Sequence, residues 1–279
     1  MAYPQPSPQG GTATASYEDV PLGERGGRVP ITVLGPLDPL PSVRSDVSTL
    51  DSHVIPTPRR PLAMEVASTS DDDRVDGEGV HCVEIHGLVV DSKGNWREAQ
   101  EEVVLSGTEP KRLEHRYIRI NSFHTHKTKY PGNAPHGDVE IRGRRNQNVY
   151  ARMVRGANEA GQAMYTVPDG FNGYLFEWSA GSTQAAVVVL LLSTCDWKDR
   201  LLREGVFMLD DCVIATAHVV RSFGSPLRMP PRTDIKLATE LGKSGRPVVP
   251  KRGDRERSTK LKSTPGKTVG SFSLYLEPI

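Results

Sequence analysis

Apolar and polar residues alternate most regularly from Leu62 to Gly107, and the pattern returns from Ala163 to Ser193. The first stretch opens with a strand-like run from Leu62 to Ser68, followed by an acidic Asp71-Asp72-Asp73 turn. Val80 to Val90 then sets Cys82, Glu84 and His86 against Val83, Ile85 and Gly87, the two-residue period of a strand. Asp91-Ser92-Lys93-Gly94-Asn95 supplies turn chemistry, with Gly94 able to take positive φ. Trp96 to Ser106 returns, and its polar Arg97, Gln100 and Glu101 put it at an exposed or edge position.

Further on, Arg112 to Phe123 reads as a fourth strand, and a long polar loop is expected from His124 to Gly137. Short strands over 138–142 and 149–154 flank a turn at 144–148. In the second ribbon, 162–168 and 174–180 are strands around the tight turn Asp169-Gly170-Phe171-Asn172-Gly173. The unbroken apolar run from Ala185 to Ser193 suits a central strand buried on both faces. Strands are also expected over 206–209, 213–220, 234–239 and 269–276, with 225–231 as a connection. Strands at this spacing, without an amphipathic helix of normal length, predict an all-β, jelly-roll-like antiparallel β-sandwich.

The flanks read differently. Residues 1–60 lack periodicity, and Pro, Gly, Ser and Thr dominate the first fifteen. Within them Val29-Pro30-Ile31-Thr32-Val33-Leu34-Gly35-Pro36-Leu37 is apolar, held extended by its prolines and too short to fold alone. A disordered leader is one reading. The other, favoured by apolar clusters inside a Pro/Gly tract, is an extended arm that orders on a neighbouring subunit through Val29, Ile31, Val33, Leu34 and Leu37. Ser45 to Leu50 reads as one short helical turn capped by Ser45. The domain division expected is an arm over 1–60 and a sandwich over 61–279, with a break near 144–160 into two sub-sandwiches. A Pro-broken basic insert at 241–268 carries Lys243, Arg246, Lys251, Arg252, Arg255, Arg257, Lys260 and Lys262. It is a solvated loop or a contact for an acidic neighbour.

Totals narrow the function. A chain of 279 residues with 37% hydrophobic content can bury a core of one or two domains. A net charge of +1 removes the global electrostatic case for nucleic acid, so no nucleic-acid partner is expected. Cys82, Cys195 and Cys212 form no C-x-x-C pair, which points to buried thiols and a reducing compartment. The start has no basic segment leading into an apolar run, and the longest apolar run is far short of the ~20 residues of a membrane span. A soluble protein with no membrane partner is expected.

Candidate chemistry is sparse. His124-Thr125-His126, with His136 and Asp138 nearby, has the side-chain types of a zinc or iron site, since extended backbone puts His124 and His126 on one side. Exposed loop histidines are the competing reading, so neither metal nor other cofactor is assigned. A cupin-like site would need a glutamate soon after the pair, where Lys129 to Pro131 stand instead. Glu140 comes late, and His218 would have to serve as the distant ligand. No G-x-S-x-G elbow occurs, and Thr264-Pro265-Gly266-Lys267-Thr268 lacks the first glycine of a phosphate loop. Asp71-Asp72-Asp73 and Asp210-Asp211 read as turns, and Tyr174, Phe176 and Trp178 as core.

One resemblance gathers several of these segments. Met64-Glu65-Val66-Ala67-Ser68-Thr69-Ser70, Val83-Glu84-Ile85-His86-Gly87-Leu88 after Gly79, and Glu102 to Thr108 belong to it. So do Tyr117-Ile118-Arg119-Ile120-Asn121, Gly137-Asp138-Val139-Glu140-Ile141 and Tyr165-Thr166-Val167-Pro168-Asp169-Gly170. Together they resemble uncharacterised virion structural proteins of tailed bacteriophages, over about half the chain. The resemblance implies a structural, non-enzymatic role in a virion assembled after synthesis in the host cytoplasm, and it brings no catalytic residues. The expectation is a capsid decoration or cement protein that binds the major capsid protein as a homo-oligomer, with a trimer favoured. A tail or head–tail junction component and a carbohydrate-binding adhesin module are the alternatives.

Overall fold

The computed structural model describes residues 29–38, 44–128, 134–194, 206–214, 217–241 and 267–279. Among them are fifteen strands and no helix. The first eight are β1 (Val29–Leu37), β2 (Ser45–Asp46), β3 (Leu62–Ser68), β4 (Val80–Val90), β5 (Trp96–Val104), β6 (Lys111–Thr128), β7 (Val139–Gly143) and β8 (Val149–Met153). The others are β9 (Met164–Thr166), β10 (Phe171–Ser182), β11 (Ala186–Thr194), β12 (Val206–Ile214), β13 (His218–Met229), β14 (Thr233–Leu241) and β15 (Thr268–Pro278).

They form three antiparallel sheets. A four-stranded sheet runs β1-β15-β10-β13, and a five-stranded one runs β12-β11-β14-β2 with β9 also on β14. The third runs β5-β4-β6-β3-β7-β8. The first two enclose a core of Trp178, Leu175, Phe272, Leu274, Val188, Leu190, Ile235 and Leu237. The six-stranded sheet gathers its own core from Val83, Ile85, Phe123, Tyr117, Met64, Ile141 and Met153. The all-β, jelly-roll-like sandwich class expected from the pattern is the fold observed. The chain passes from the sandwich to the six-stranded sheet between β2 and β3 and returns between β8 and β9. No helix among the described residues is long and apolar enough to cross a membrane.

Several expectations need correction. Val29–Leu37 is not an arm reaching away from the body. It pairs with β15 over its whole length, from Val29 opposite Leu276 to Leu37 opposite Thr268. Ile31, Val33 and Leu37 are buried in the sandwich core, because alternate residues of an edge strand must face inward. Residues 29–38 and 44–60 therefore do not stand apart from 61–279, while the rest of the expected 1–60 arm lies outside the described residues. The expected helical turn at Ser45 is instead β2, paired with Ala238 and Thr239. β6 runs five residues past Phe123, to Thr128, because β4 keeps offering it a partner as far as Val80. Residues 225–229, expected in a connection, lie in β13.

The acidic turn has a structural use. Asp73 is fully buried, and its carboxylate accepts from the Ser68 hydroxyl and from the backbone N–H groups of Val80, His136 and Gly137. It ties the β3–β4 connection to the segment before β7. Asp73→Ala should cost about 1–3 kcal/mol, the penalty for orphaning buried donors. Urea unfolding measures it, and a midpoint equal to wild type would refute the role.

Candidate functional site

Three neighbouring strands build the site. β4 contributes Glu84 and His86, β6 contributes His124 and His126, and β5 contributes Gln100 and Glu102. Glu84 stands opposite Glu102 on one side and His124 on the other, and His86 stands opposite Gln100 and Ser122. Strand alternation sends Val83, Ile85, Val103 and Phe123 into the core, which leaves the polar set together on the other face. The strands approach closely here because Gly87 follows His86. A Cβ at Gly87 would lie 2.3 Å from the Arg119 carbonyl oxygen.

Glu84 is the hub, with only 2% of its surface exposed. Its Oε1 lies 2.8 Å from His86 Nε2 and also accepts from the Gln100 amide. Its Oε2 lies 3.2 Å from His124 Nε2 and 3.1 Å from His126 Nδ1. The far nitrogen of His126, Nε2, is 3.1 Å from Glu102 Oε1. The His86 and His124 rings stack at 5.5 Å between centroids, 17° from parallel. Burial, partly opposed by the Glu84 charge, lowers the His86 imidazole from its ordinary value. Buried carboxylate and neutral imidazole are donor groups for a divalent transition metal, and Glu84, His86 and His124 have the spacing for one.

The structure thus brings His124 and His126 together, on a strand rather than in a loop. His136 is elsewhere. Its ring faces Asp72, and its backbone N–H donates to Asp73. The ligands imagined for a cupin-like set do not converge. Glu140 is held by Arg142 and Arg152, and His218 is exposed on β13. The one signal in the sequence for Glu84 and His86 as partners of the His-x-His pair is that Glu84-Ile85-His86 repeats its two-residue spacing one strand away.

The other site residues are dispersed. Ile31, Val33 and Leu37 are core, while Leu34 is 42% exposed on the outer side of β1. The basic set at Lys243, Arg246, Lys251, Arg252, Arg255, Arg257, Lys260 and Lys262 lies outside the described residues. Trp178 is fully buried, and its indole N–H donates to Asp210 in β12, so Asp210 is a strand residue and not a turn. A register shift between Leu175 and Glu177 sends both Leu175 and Trp178 inward. Tyr174 and Phe176 stack outside on Tyr275, with centroids 5.1 and 6.4 Å apart, instead of joining the core.

One edge of the sandwich is also distinctive. β12 closes the five-stranded sheet and β13 the four-stranded sheet, and these consecutive strands lie beside each other. Met208, Val213 and Val220 on them are 58%, 71% and 51% exposed. Compared with known proteins, the chain matches no family model and no curated protein.

Proposed function

We propose that this chain is a structural, non-enzymatic protein of a tailed-phage virion, a decoration or cement protein that joins copies of itself and the major capsid protein on the head. The observation that carries the reading is the β12–β13 edge. Two adjacent edge strands present backbone hydrogen-bonding groups alongside exposed Met208, Val213 and Val220. Such an edge can template pairing with a further strand, and the exposed Asp211, Arg221 and Pro226 on it restrict where one can add. A β-protein that pairs through edges suits a lattice, where each copy meets several neighbours. The resemblance of residues 62–121 and 160–193 to virion proteins supports the same role.

The full chain should run as a discrete oligomer in light scattering after size exclusion, with a trimer favoured. Val213→Lys with Val220→Lys should convert it to monomer while leaving the circular dichroism of the β fold unchanged. Particles assembled without the chain should lose head stability, and cryo-EM should place it on the capsid surface. A monomeric wild type, together with particles that keep both head stability and tail assembly, would sink this reading and its head–tail junction variant.

A carbohydrate-binding adhesin is favoured by one observation, the outward stack of Tyr174, Phe176 and Tyr275. Aromatic faces of this kind bind sugar rings. Trp178 does not belong to that surface, because it is buried in the core. A glycan array with no binder would dismiss this alternative.

A further inference from the structure

We propose that Glu84, His86 and His124, with His126 beside them, form a zinc-class divalent metal site on the outer face of the six-stranded sheet. The inference does not depend on the virion reading. It begins from the way the side chains converge. His126 sets Nδ1 3.1 Å from Glu84 and Nε2 3.1 Å from Glu102. His86 and His124 add two more imidazole nitrogens to the same Glu84 carboxylate. Three imidazoles converge on one buried carboxylate, a donor set that a divalent cation can bridge.

The spacing agrees. The N···O separations around Glu84 run from 2.8 to 3.2 Å. Tetrahedral zinc with ligand bonds of about 2.0–2.1 Å needs ligand atoms roughly 3.3 Å apart, a small outward adjustment. The ligand atoms of Glu84, His86 and His124 all lie within 4.8 Å of one another. Imidazole with carboxylate selects zinc, cobalt or nickel over calcium and magnesium, which take oxygen. Two supports orient the set. The Gln100 amide donates to Glu84 Oε1, and Glu102 fixes the outer nitrogen of His126, the kind of outer contact that holds metal ligands in place.

Position decides what the ion does. Glu84 and His86 have side-chain exposures of 3% and 9%, whereas His124 and His126 have 23% and 19%. The ion would be gripped from below and reachable from solvent above. It would cross-link β4 to β6, whose ligands lie some forty residues apart in sequence, and lock the sheet. A remaining coordination position would face outward, open to water or to a donor side chain of a neighbouring molecule.

The test uses the full chain, stripped with a chelator and then titrated with Zn²⁺ or Co²⁺. Elemental analysis after gel filtration should find about one zinc ion per chain, and Co²⁺ should give the visible bands of a tetrahedral site. Zinc should raise the thermal midpoint by roughly 5 °C, as a ligand confined to the native state does. His86→Ala and His124→Ala should each abolish the Co²⁺ bands, and Ser92→Ala, on the turn after β4, should not. X-ray absorption on zinc-loaded wild type needs no variant and should show nitrogen and oxygen neighbours with imidazole scattering. Sulfur neighbours, no stoichiometric metal, or Co²⁺ bands that survive both histidine replacements would each overturn the site.

Discussion

Arg119→Met should destabilise the protein by about 3–5 kcal/mol, the cost of removing one partner from a buried ion pair. Arg119 Nε and Nη2 donate to Asp234 Oδ1 and Oδ2, both at 2.9 Å, and the two side chains are 5% and 6% exposed. Arg119 sits on β6 in the six-stranded sheet, and Asp234 on β14 in the sandwich, so the pair joins the two cores. The same guanidinium donates to the carbonyls of Pro58 and Ile118 and lies 5.0 Å over the Trp96 ring. Around it Asn121 exchanges two hydrogen bonds with the Thr166 backbone, and Trp96 exchanges two with Asp169. Removing the cation leaves a carboxylate buried beside Thr166, whose hydroxyl alone cannot replace it. Asp234→Asn on the Arg119→Met background should restore part of the loss, since the neutral amide still accepts from Thr166 and no buried charge remains. Thermal unfolding should show a fall of roughly 10 °C for the single variant and less for the double. If the two losses simply add, the pair is not the joint between the cores.

This joint was not legible in the sequence, and the reason is physical. Arg119 and Asp234 are 115 residues apart, and each sits in an ordinary alternating strand. Local pattern reports which face a residue takes, not what meets that face. Where the partner is local, the pattern sufficed. β4 and β5 are joined by Asp91 to Asn95, Gly94 takes φ of 83°, and their register follows from the turn. β11 was legible as central because both its faces are apolar, and it lies between β12 and β14, with Val188 and Leu190 on one side and Val187 and Val189 on the other.

The candidate site was half legible. His124 and His126 share a side in any extended backbone, and that much follows from spacing. Their polar neighbours looked like loop composition, which hid the fact that β6 continues and that Glu84 and His86 lie across the ladder. The aromatic strand misled for another reason. A bulge adds a residue without changing composition, so the period of two carried Trp178 to the side of Tyr174, whereas the structure puts it with Leu175.

Deleting residues 1–37 should unfold the sandwich rather than trim a dispensable leader. β1 contributes Ile31, Val33 and Leu37 to the core, and each such burial is worth about 1.5–3 kcal/mol. Three of them approach the whole stability of a typical domain, about 5–15 kcal/mol. The ladder to β15 would also go, baring the edge that carries Phe272, Leu274 and Leu276. Gly35 marks the strand as built for this place. A Cβ there would lie 2.5 Å from the Ala163 nitrogen and 2.6 Å from the Val47 oxygen, and the residue opposite is Gly270. Pro30 and Pro36 fit an edge strand, where a missing N–H costs no inner ladder bond and discourages a further strand. Gly35→Val should therefore damage the full-length protein nearly as much as the deletion, whereas deleting only residues 1–28 should leave the β1 ladder intact. A peptide spanning residues 29–38, added during refolding of the 1–37 deletion, should restore native circular dichroism by completing the sheet as a donated strand. A folded, soluble 1–37 deletion with the wild-type melting midpoint would return Val29–Leu37 to the role of an arm.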